Sequence, residues 1–190
     1  SGVPDGSRWR GCYDIPLLFT DRRYDANGVL VMDVMNMDGH LGDKFLVNGR
    51  VQPFFEVERR KYRFRLLDGG PSRFYSFWMS NGMTFQHIAN DGNMFPHPIE
   101  TDHLQLGVSE RGDIVVDFSQ VPEGVNELYL INREMQTNGR KPDGFLLPYA
   151  DSDQLIKFII SPETNVTDNS RVAPNFRPLP EMNTPVVRTR

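Results

Sequence analysis

The chain has 190 residues and a formal net charge of −4 at pH 7, which suits one domain with its own hydrophobic core. Lys and Arg alternate with acids, so the charge gives no reason to expect a nucleic acid or an anionic membrane as partner. Sixteen glycines and fourteen prolines together exceed the usual share of about 12% and favour turns over long helices. No apolar run in the sequence approaches the roughly 20 residues of a membrane span.

Glycine-containing turns divide the chain into short apolar segments. The run "YDIPLLFTDRRYD" (13–25) ends in Asp-Ala-Asn-Gly and is followed by "VLVMDV" (29–34), which predicts a β-hairpin. Asn48-Gly49 separates two strands in "FLVNGRVQPFFEV", and Asn81-Gly82 and Asp91-Gly92 mark two further turns. Asn, Asp and Gly tolerate the left-handed backbone that tight turns require.

Strand periodicity is clearest in "RKYRFRLLD". Tyr62, Phe64 and Leu66 alternate with polar residues, which is the period of a half-buried strand. Further strands are predicted in "TFQHIAND", "HLQLGV", "DIVVDF", "NELYLINREM" and, as the last one, residues 154–161. About nine to eleven strands with frequent turns and no helical period predict an all-β sandwich or barrel.

The composition changes at Pro162. Residues 162–190 are rich in Pro, Asn and Thr and predict an extended, Pro-rich linker or tail, with residues 13–161 as the domain and 1–12 as an N-terminal linker. Asn165-Val166-Thr167 is an N-glycosylation sequon, which matters only in a eukaryotic secretory host. The way the chain opens and stops leads us to expect a truncated, cleaved or split piece of a longer protein.

Metal-binding and nucleophilic patterns are weak. His87, His97 and His103 are the residues from which a small metal site is conceivable, but their spacing fits no well-known ligand pattern. We expect surface or capping histidines instead. Cys12, the single cysteine, has no partner for an internal disulfide, and we interpret it as a free thiol.

Strand-end carboxylates offer a second class of candidate. Asp21, Asp113 and Asp117 carry the chemistry for acid–base catalysis. We expect them instead to pair with arginines or to accept backbone N–H groups at strand ends.

The stretch "LGVSERGDIVVDFS" (106–119) raises the same choice between catalysis and structure. Glu110, Arg111 and Gly112 are predicted to form a turn between two strands, with Gly112 allowing a tight or positive-φ backbone. Arg111 is expected to bond neighbouring carboxylates or carbonyls, and Asp113 to cap the next strand. We therefore interpret Glu110, Arg111 and Asp113 as a structural corner and predict no catalytic residue in the chain.

Four stretches occur in an order that resembles a known family. They are "YDIPLLFTDRRYDANG", "DKFLVNGRVQPFFEVERRKYRFRLLDGGPSRFYSFWMSNG", "FQHIANDGNMF" and "LGVSERGDIVVDFS". Together they resemble the second, or middle, cupredoxin domain of three-domain multicopper oxidases, closest to the bilirubin-oxidase and bacterial spore-coat-laccase branch. The resemblance covers roughly residues 13–161 and implies a cupredoxin-like Greek-key β-barrel.

The resemblance also implies where copper belongs. In the family, His-X-His and His-Cys-His ligands lie in the first and third domains. This chain contains neither motif, and Cys12 is flanked by Gly11 and Tyr13. A blue-copper site takes two His and one Cys, and the trinuclear centre of the family takes many more histidines than the four present. We therefore expect no cofactor and no metal ligand in this chain, and copper in the parent enzyme.

The role implied by the resemblance is that of a spacer. The partners are the first and third cupredoxin domains, in the same chain or as separate chains. The parent would oxidise phenols, tetrapyrroles or metal ions and reduce dioxygen to water, in a secreted, periplasmic or cell-envelope setting, with the cytoplasm left open. Met35, Met37, His40 and Leu41 are expected to approach the substrate cavity.

A different class of function remains open. A free-standing β-barrel could bind protein or glycan without catalysis, and an exposed aromatic platform at Trp78 or Phe74 would favour it. Core packing of these two aromatic side chains is the competing interpretation.

Overall fold

The computed structural model describes residues 13–32, 35–162 and 167–178. Within them, thirteen β-strands form two sheets, so the all-β, cupredoxin-like prediction is confirmed. Cys12 and most of the sequon, Asn165 and Val166, lie outside the described residues.

The larger sheet has eight strands. In spatial order they are β4 (Arg50–Val51), β3 (Lys44–Val47), β1 (Asp14–Tyr24), β6 (Lys61–Asp68), β11 (Arg111–Asp117), β8 (Phe85–Asn90) and β9 (Asn93–Thr101), with β2 (Leu30–Val31) paired to β1. β1 and β6 run parallel, while β11 is antiparallel to both of its neighbours.

The smaller sheet packs against the larger one. Its order is β10 (His103–Leu106), β7 (Tyr75–Met79), β12 (Glu127–Asn132), β13 (Asp153–Ile160) and β5 (Phe54–Val57). Two short 3-10 helices cover Phe118–Gln120 and Tyr149–Asp151. No helix among the described residues is long and apolar enough to span a membrane.

The core lies between the two sheets and is rich in aromatic side chains. Tyr62, Phe64 and Leu66 of β6 are buried, as the alternation predicts. The ring centroids of Phe64 and Phe158 are 5.4 Å apart, and Phe118 and Phe158 are 5.0 Å apart. Each fully buried Phe contributes roughly 1.5–3 kcal/mol relative to an exposed one, so this cluster joins the sheets.

Two of the predicted turns are two-residue hairpins. Asn48-Gly49 joins β3 to β4 and Asp91-Gly92 joins β8 to β9, with φ values of 50 and 81 degrees and of 48 and 78 degrees. Such left-handed pairs match the twist of the flanking strands. Asn81-Gly82 does not form a hairpin. It lies in the connection between β7 of the smaller sheet and β8 of the larger one.

β9 is the strand that sequence reasoning missed. It carries Pro96 and Pro98, which cannot donate hydrogen bonds to a neighbouring strand. β9 lies at the edge of the larger sheet, where a strand tolerates proline. The strand predicted after Asn48-Gly49 is also divided into β4 and β5, so the total of thirteen exceeds the predicted nine to eleven.

The described part of the C-terminal tail follows an irregular path. Residues 167–178 form no helix or strand, and they run along the outer face of the larger sheet. Asp168 pairs with Arg60, and the Phe176 amide donates to the carbonyl of Pro96.

Candidate functional site

A cleft of about 260 Å³ opens at one end of the barrel. One wall is the β1–β2 hairpin with the loop after it, and the other is the loop that follows β6. The lining residues include Leu30, Met32 and His40 on the first side and Gly69 and Pro71 on the second. Among the described residues, this cleft is where the predicted cavity segment meets the body of the fold.

Of the four residues predicted to line a substrate cavity, the structure brings one into the cleft. His40 is half-buried and its amide donates to Ser72 Oγ at 3.0 Å. Met35 and Met37 extend into solvent, with exposed fractions of 84% and 86%. Leu41 is half-buried, and its carbonyl accepts from Arg23 at 3.1 Å.

A buried polar cluster lies beside this cleft. Asp21 is fully buried, and its Oδ2 accepts from the Gly42 amide at 2.6 Å and from Arg73 Nε at 3.0 Å. Arg73 also donates to the Gly42 carbonyl at 2.8 Å. A Cβ on Gly42 would come within 2.3 Å of the Arg22 backbone nitrogen, so only glycine fits there. The cluster therefore ties the loop after Met37 to β1.

Asp68 brings a second buried carboxyl group to the cluster. Its Oδ1 accepts from the Gly70 amide at 2.9 Å. Burial raises the pKa of Asp68 to about 7. The negative charge of Asp21 also raises this pKa, whereas the hydrogen bond from the Gly70 amide lowers it. One oxygen each of Asp21 and Asp68 has no hydrogen-bond partner among the described residues. A proton on Asp68 relieves the repulsion between the two acids near neutral pH.

The strand-end carboxylates are paired, as the sequence predicts. Asp21 pairs with Arg73, Asp113 accepts from Arg63 Nε at 3.2 Å, and Asp117 lies 3.0 Å from Lys61 Nζ. Their chemistry is therefore that of neutralised structural acids. Asp68 was missed, because the sequence does not show that the charge of Asp21 lies beside this buried position.

The stretch Gly107–Asp113 turns the chain from the smaller sheet into the larger one. Glu110 Oε2 accepts from the Gly107 amide at 2.6 Å. Arg111 donates to the Ser109 carbonyl at 2.9 Å and pairs with Asp91 at 3.2 Å. Asp113 instead lies within β11 and contacts Arg63 across to β6.

The backbone of this corner differs from the prediction. The positive φ is at Ser109, with 69 degrees, rather than at Gly112. Gly112 is buried in β11, where a Cβ would lie 2.7 Å from Leu104 Cδ2 of the smaller sheet. Glycine at this position therefore leaves room for Leu104 between the sheets and does not serve an unusual turn.

The histidines are separated. His87 bonds Asn90 at 2.7 Å, His97 contacts the carbonyl of Pro98, and His103 pairs with Asp102 in the other sheet. Within residues 13–32, 35–162 and 167–178, no three His, Cys, Asp or Glu side chains come together as a metal site. The structure therefore does not support a metal site built from His87, His97 and His103.

Trp78 is covered rather than displayed. It is 8% exposed, stacks on His103 at 4.7 Å and donates to Ser76 Oγ. Arg133 lies 4.6 Å from the Trp78 ring centre and 4.0 Å from that of Tyr149. This layer covers Trp78 on the outer face of the smaller sheet, while Tyr149 itself stays 43% exposed. Phe74 is half-buried, and its ring packs near Gly107.

Comparison with known proteins identifies the family. The multicopper oxidase family model matches residues 20–146. Bilirubin oxidase of Albifimbria verrucaria is 34% identical over 185 residues, covering 92% of this chain and 32% of that protein. A laccase of Bacillus subtilis (strain 168) is 35% identical over 119 residues, covering 56% of this chain and 23% of that protein.

Solved structures agree. The McoA multicopper oxidase from the hyperthermophile Aquifex aeolicus superposes with a TM-score of 0.75 at 28% identity, covering 93% of this chain and 37% of that chain. The fold is thus a cupredoxin-like domain of the kind that multicopper oxidases contain. The chain belongs to the multicopper oxidase family. It spans about a third of the length of the bilirubin oxidase and of the McoA structure.

Proposed function

We propose that the chain is the copper-free middle domain of a three-domain multicopper oxidase of the laccase and bilirubin-oxidase type. The observation that carries the proposal is that the chain belongs to a copper-binding family but lacks the family's copper-ligand motifs. The chain belongs to a copper-dependent family, yet its sequence holds four histidines, one cysteine and no His-X-His or His-Cys-His motif. A mononuclear and a trinuclear copper centre need more donors than these.

The residues present do not fit a copper centre, so this chain supplies no redox step in the proposal. Its contribution is mechanical. The domain spans residues 13–161, and the segments 1–12 and 162–190 link it to the first and third cupredoxin domains, in the same chain or as separate chains. Holding those two domains at a set separation lets them build a copper centre between them.

The exposed apolar side chains support a docking role. Of seventeen large apolar residues exposed among the described ones, seven lie between Tyr24 and Met37. They are Tyr24, Val29, Leu30, Val31, Met32, Met35 and Met37. We call them the hairpin patch. Exposed apolar side chains concentrated in one segment are typical of an interaction site, and the outer face of the smaller sheet is already covered around Trp78.

The parent's chemistry belongs to the same proposal. Its substrates would be phenols, tetrapyrroles or metal ions, with dioxygen reduced to water, and its location would be secreted, periplasmic or in the cell envelope. His40 and Met32 in the cleft, with Met35, Met37 and Leu41 beside it, would form part of the cavity wall. The alternative of a free-standing protein- or glycan-binding module loses its main support, because Trp78 forms no exposed platform.

The docking role is tested with the double variant Met35→Glu and Met37→Glu in the longer protein. Charges on the hairpin patch should separate the domains, so copper content and turnover should fall together, by about tenfold for each 1.4 kcal/mol of docking energy lost. The matched control is Val125→Glu, which is also an exposed apolar residue (37%) but lies outside the patch.

The measurements are copper per protein molecule and initial rates with a phenolic substrate. If the double variant keeps its copper but binds substrate less well, the patch lines the cavity and does not dock a domain. If copper and rates match those of the control, both roles are wrong.

A further inference from the structure

The segment 167–178, which we call the C-terminal strap, is bound at both of its ends. At the first end, the Asp168 carboxylate accepts from the Lys61 amide at 3.1 Å and pairs with Arg60 at 3.2 Å. Its other bonds are to the Ser170 amide at 2.9 Å and, more distantly, to Lys61 Nζ at 3.8 Å. At the second end, the Phe176 amide donates to the Pro96 carbonyl at 2.8 Å.

The first anchor is a partly buried ion pair. The side chains of Arg60 and Asp168 are 8% and 15% exposed, and the Arg60 guanidinium stacks 3.5 Å above the Tyr13 ring. Burial alone would raise the pKa of Asp168, but the bonds from Ser170 and Lys61 and the charge of Arg60 outweigh it and lower the pKa to about 2. The anchor therefore stays charged throughout the physiological range of pH.

The second anchor uses the edge of the larger sheet. Among the described residues, no strand pairs with the outer side of β9, and an unpaired edge offers free carbonyl groups to an extended segment. Pro96 lacks an N–H but keeps its carbonyl, and this carbonyl is the acceptor for Phe176. The strap thus crosses from the start of β6 over β11 and β8 to β9.

Between its anchors the strap covers apolar surface without packing tightly. Ile88 is buried to 5% exposure but does not belong to the main core cluster. Val172, Ala173 and Phe176 face it across a gap of about 340 Å³ that Tyr13 and Val115 also line. Polar anchors at the ends, rather than close apolar packing, therefore hold the strap in place.

We propose that the outer face of β6, β11, β8 and β9 is an interaction surface whose partner is the chain's own residues 167–178. The strap is one cooperative unit, held by Asp168 and Phe176. The docking of the strap does not depend on the proposed function. Only its consequence does, namely that a bound strap fixes the position at which the following domain begins. The strap does not cover the hairpin patch, which stays exposed.

Hydrogen exchange on the full chain tests whether the two ends act as one unit. Asp168→Asn removes the ion pair with Arg60. The decisive readout is the Phe176 amide, which lies eight residues away and has no bond to Asp168. If the strap is one unit, exchange at Phe176 should accelerate by about tenfold or more, because the whole segment opens. Core amides such as that of Ile114 should keep their protection.

Two further variants complete the design. Phe176→Pro removes the donor at the second anchor and should accelerate exchange at Ser170. Asp117→Asn is the matched control, because it removes a different ion pair of Lys61 and should leave the strap protected.

Unchanged protection of Phe176 in Asp168→Asn, or of Ser170 in Phe176→Pro, overturns the proposal. The readout needs neither copper nor another domain, so that outcome leaves the spacer role untouched. Stoichiometric copper binding by the chain would count against the spacer role and leave the strap unaffected.

Discussion

Asp68 shows how burial changes the chemistry of a single residue. Asp68 and Asp21 are both fully buried, and both border Gly70, where a Cβ would lie 3.2 Å and 3.1 Å from their Oδ1 atoms. Arg73 pairs with Asp21 and neutralises one of the two acids. The second acid avoids an uncompensated buried charge by holding its proton, because an unpaired ion is costly in the interior.

We predict that stability falls as pH rises because of Asp68. Its pKa of about 7 in the folded state exceeds the value of about 4 for an unfolded chain. Between about pH 4 and pH 7 the folded state therefore binds one more proton than the unfolded state. The stability that the protonated Asp68 contributes is lost as the pH rises through this range.

Asp68→Asn supplies a neutral side chain at every pH. It should be more stable than wild type at pH 8, by on the order of 4 kcal/mol, with the difference vanishing near pH 4. Urea unfolding at both values measures the effect. Asp43→Asn, at an exposed acid paired with its neighbour Lys44, is the control. Equal stability of wild type and Asp68→Asn at pH 8 would show that Asp68 is ionised without penalty.

The roles of Asp21 and Asp68 differ in how well they could be predicted from the sequence. The pairing of Asp21 with an arginine was predictable, because strand-end carboxylates usually find such partners. The role of Asp68 was not, because its alternating position in β6 predicts burial but not the nearby charge of Asp21. Asp21 lies near Asp68 because β1 pairs with β6 in parallel, with Phe19 opposite Asp68. Local sequence does not encode this pairing.

At the scale of elements, hairpins were predictable and long-range pairings were not. Asn48-Gly49 and Asp91-Gly92 carry local turn chemistry, and both form hairpins. β9 was missed because its prolines argue against a strand, and its edge position is visible only in the folded sheet. The turn predicted at Glu110, Arg111 and Gly112 lies instead at Val108 and Ser109, because Arg111 and Gly112 already belong to β11. Gly112 acts there by packing rather than by φ.

The corner leads to a prediction about Arg111. Its ion pair with Asp91 is half-exposed, 50% for each side chain, and exposed pairs contribute roughly 0.2–1 kcal/mol. Arg111→Ala should therefore lower the free energy of unfolding by about 0.5–1 kcal/mol, counting the lost bond to the Ser109 carbonyl. A double-mutant cycle with Asp91→Ala in urea isolates the pair. An unchanged unfolding midpoint in Arg111→Ala would mean that the side chain does not brace this corner.

At the scale of the whole molecule, the two sheet faces and the barrel end have different tasks. The layer around Trp78 covers part of the smaller sheet, and the strap crosses the larger one. The hairpin patch stays exposed and is the surface that we propose for docking. Family and fold could be predicted from the order of the motifs. The docked path of the strap could not, because Pro-rich composition predicts an extended segment without saying what it contacts.

The central claim is that this domain carries no copper centre of its own. The most direct test incubates the purified chain with copper under reducing and then oxidising conditions, removes loosely bound metal, and measures copper per chain together with the visible spectrum. We predict far less than one copper per chain and no blue thiolate–copper absorption, because one cysteine and four histidines lie outside the family's ligand motifs. One tightly bound copper per chain with an intense blue colour would contradict the account.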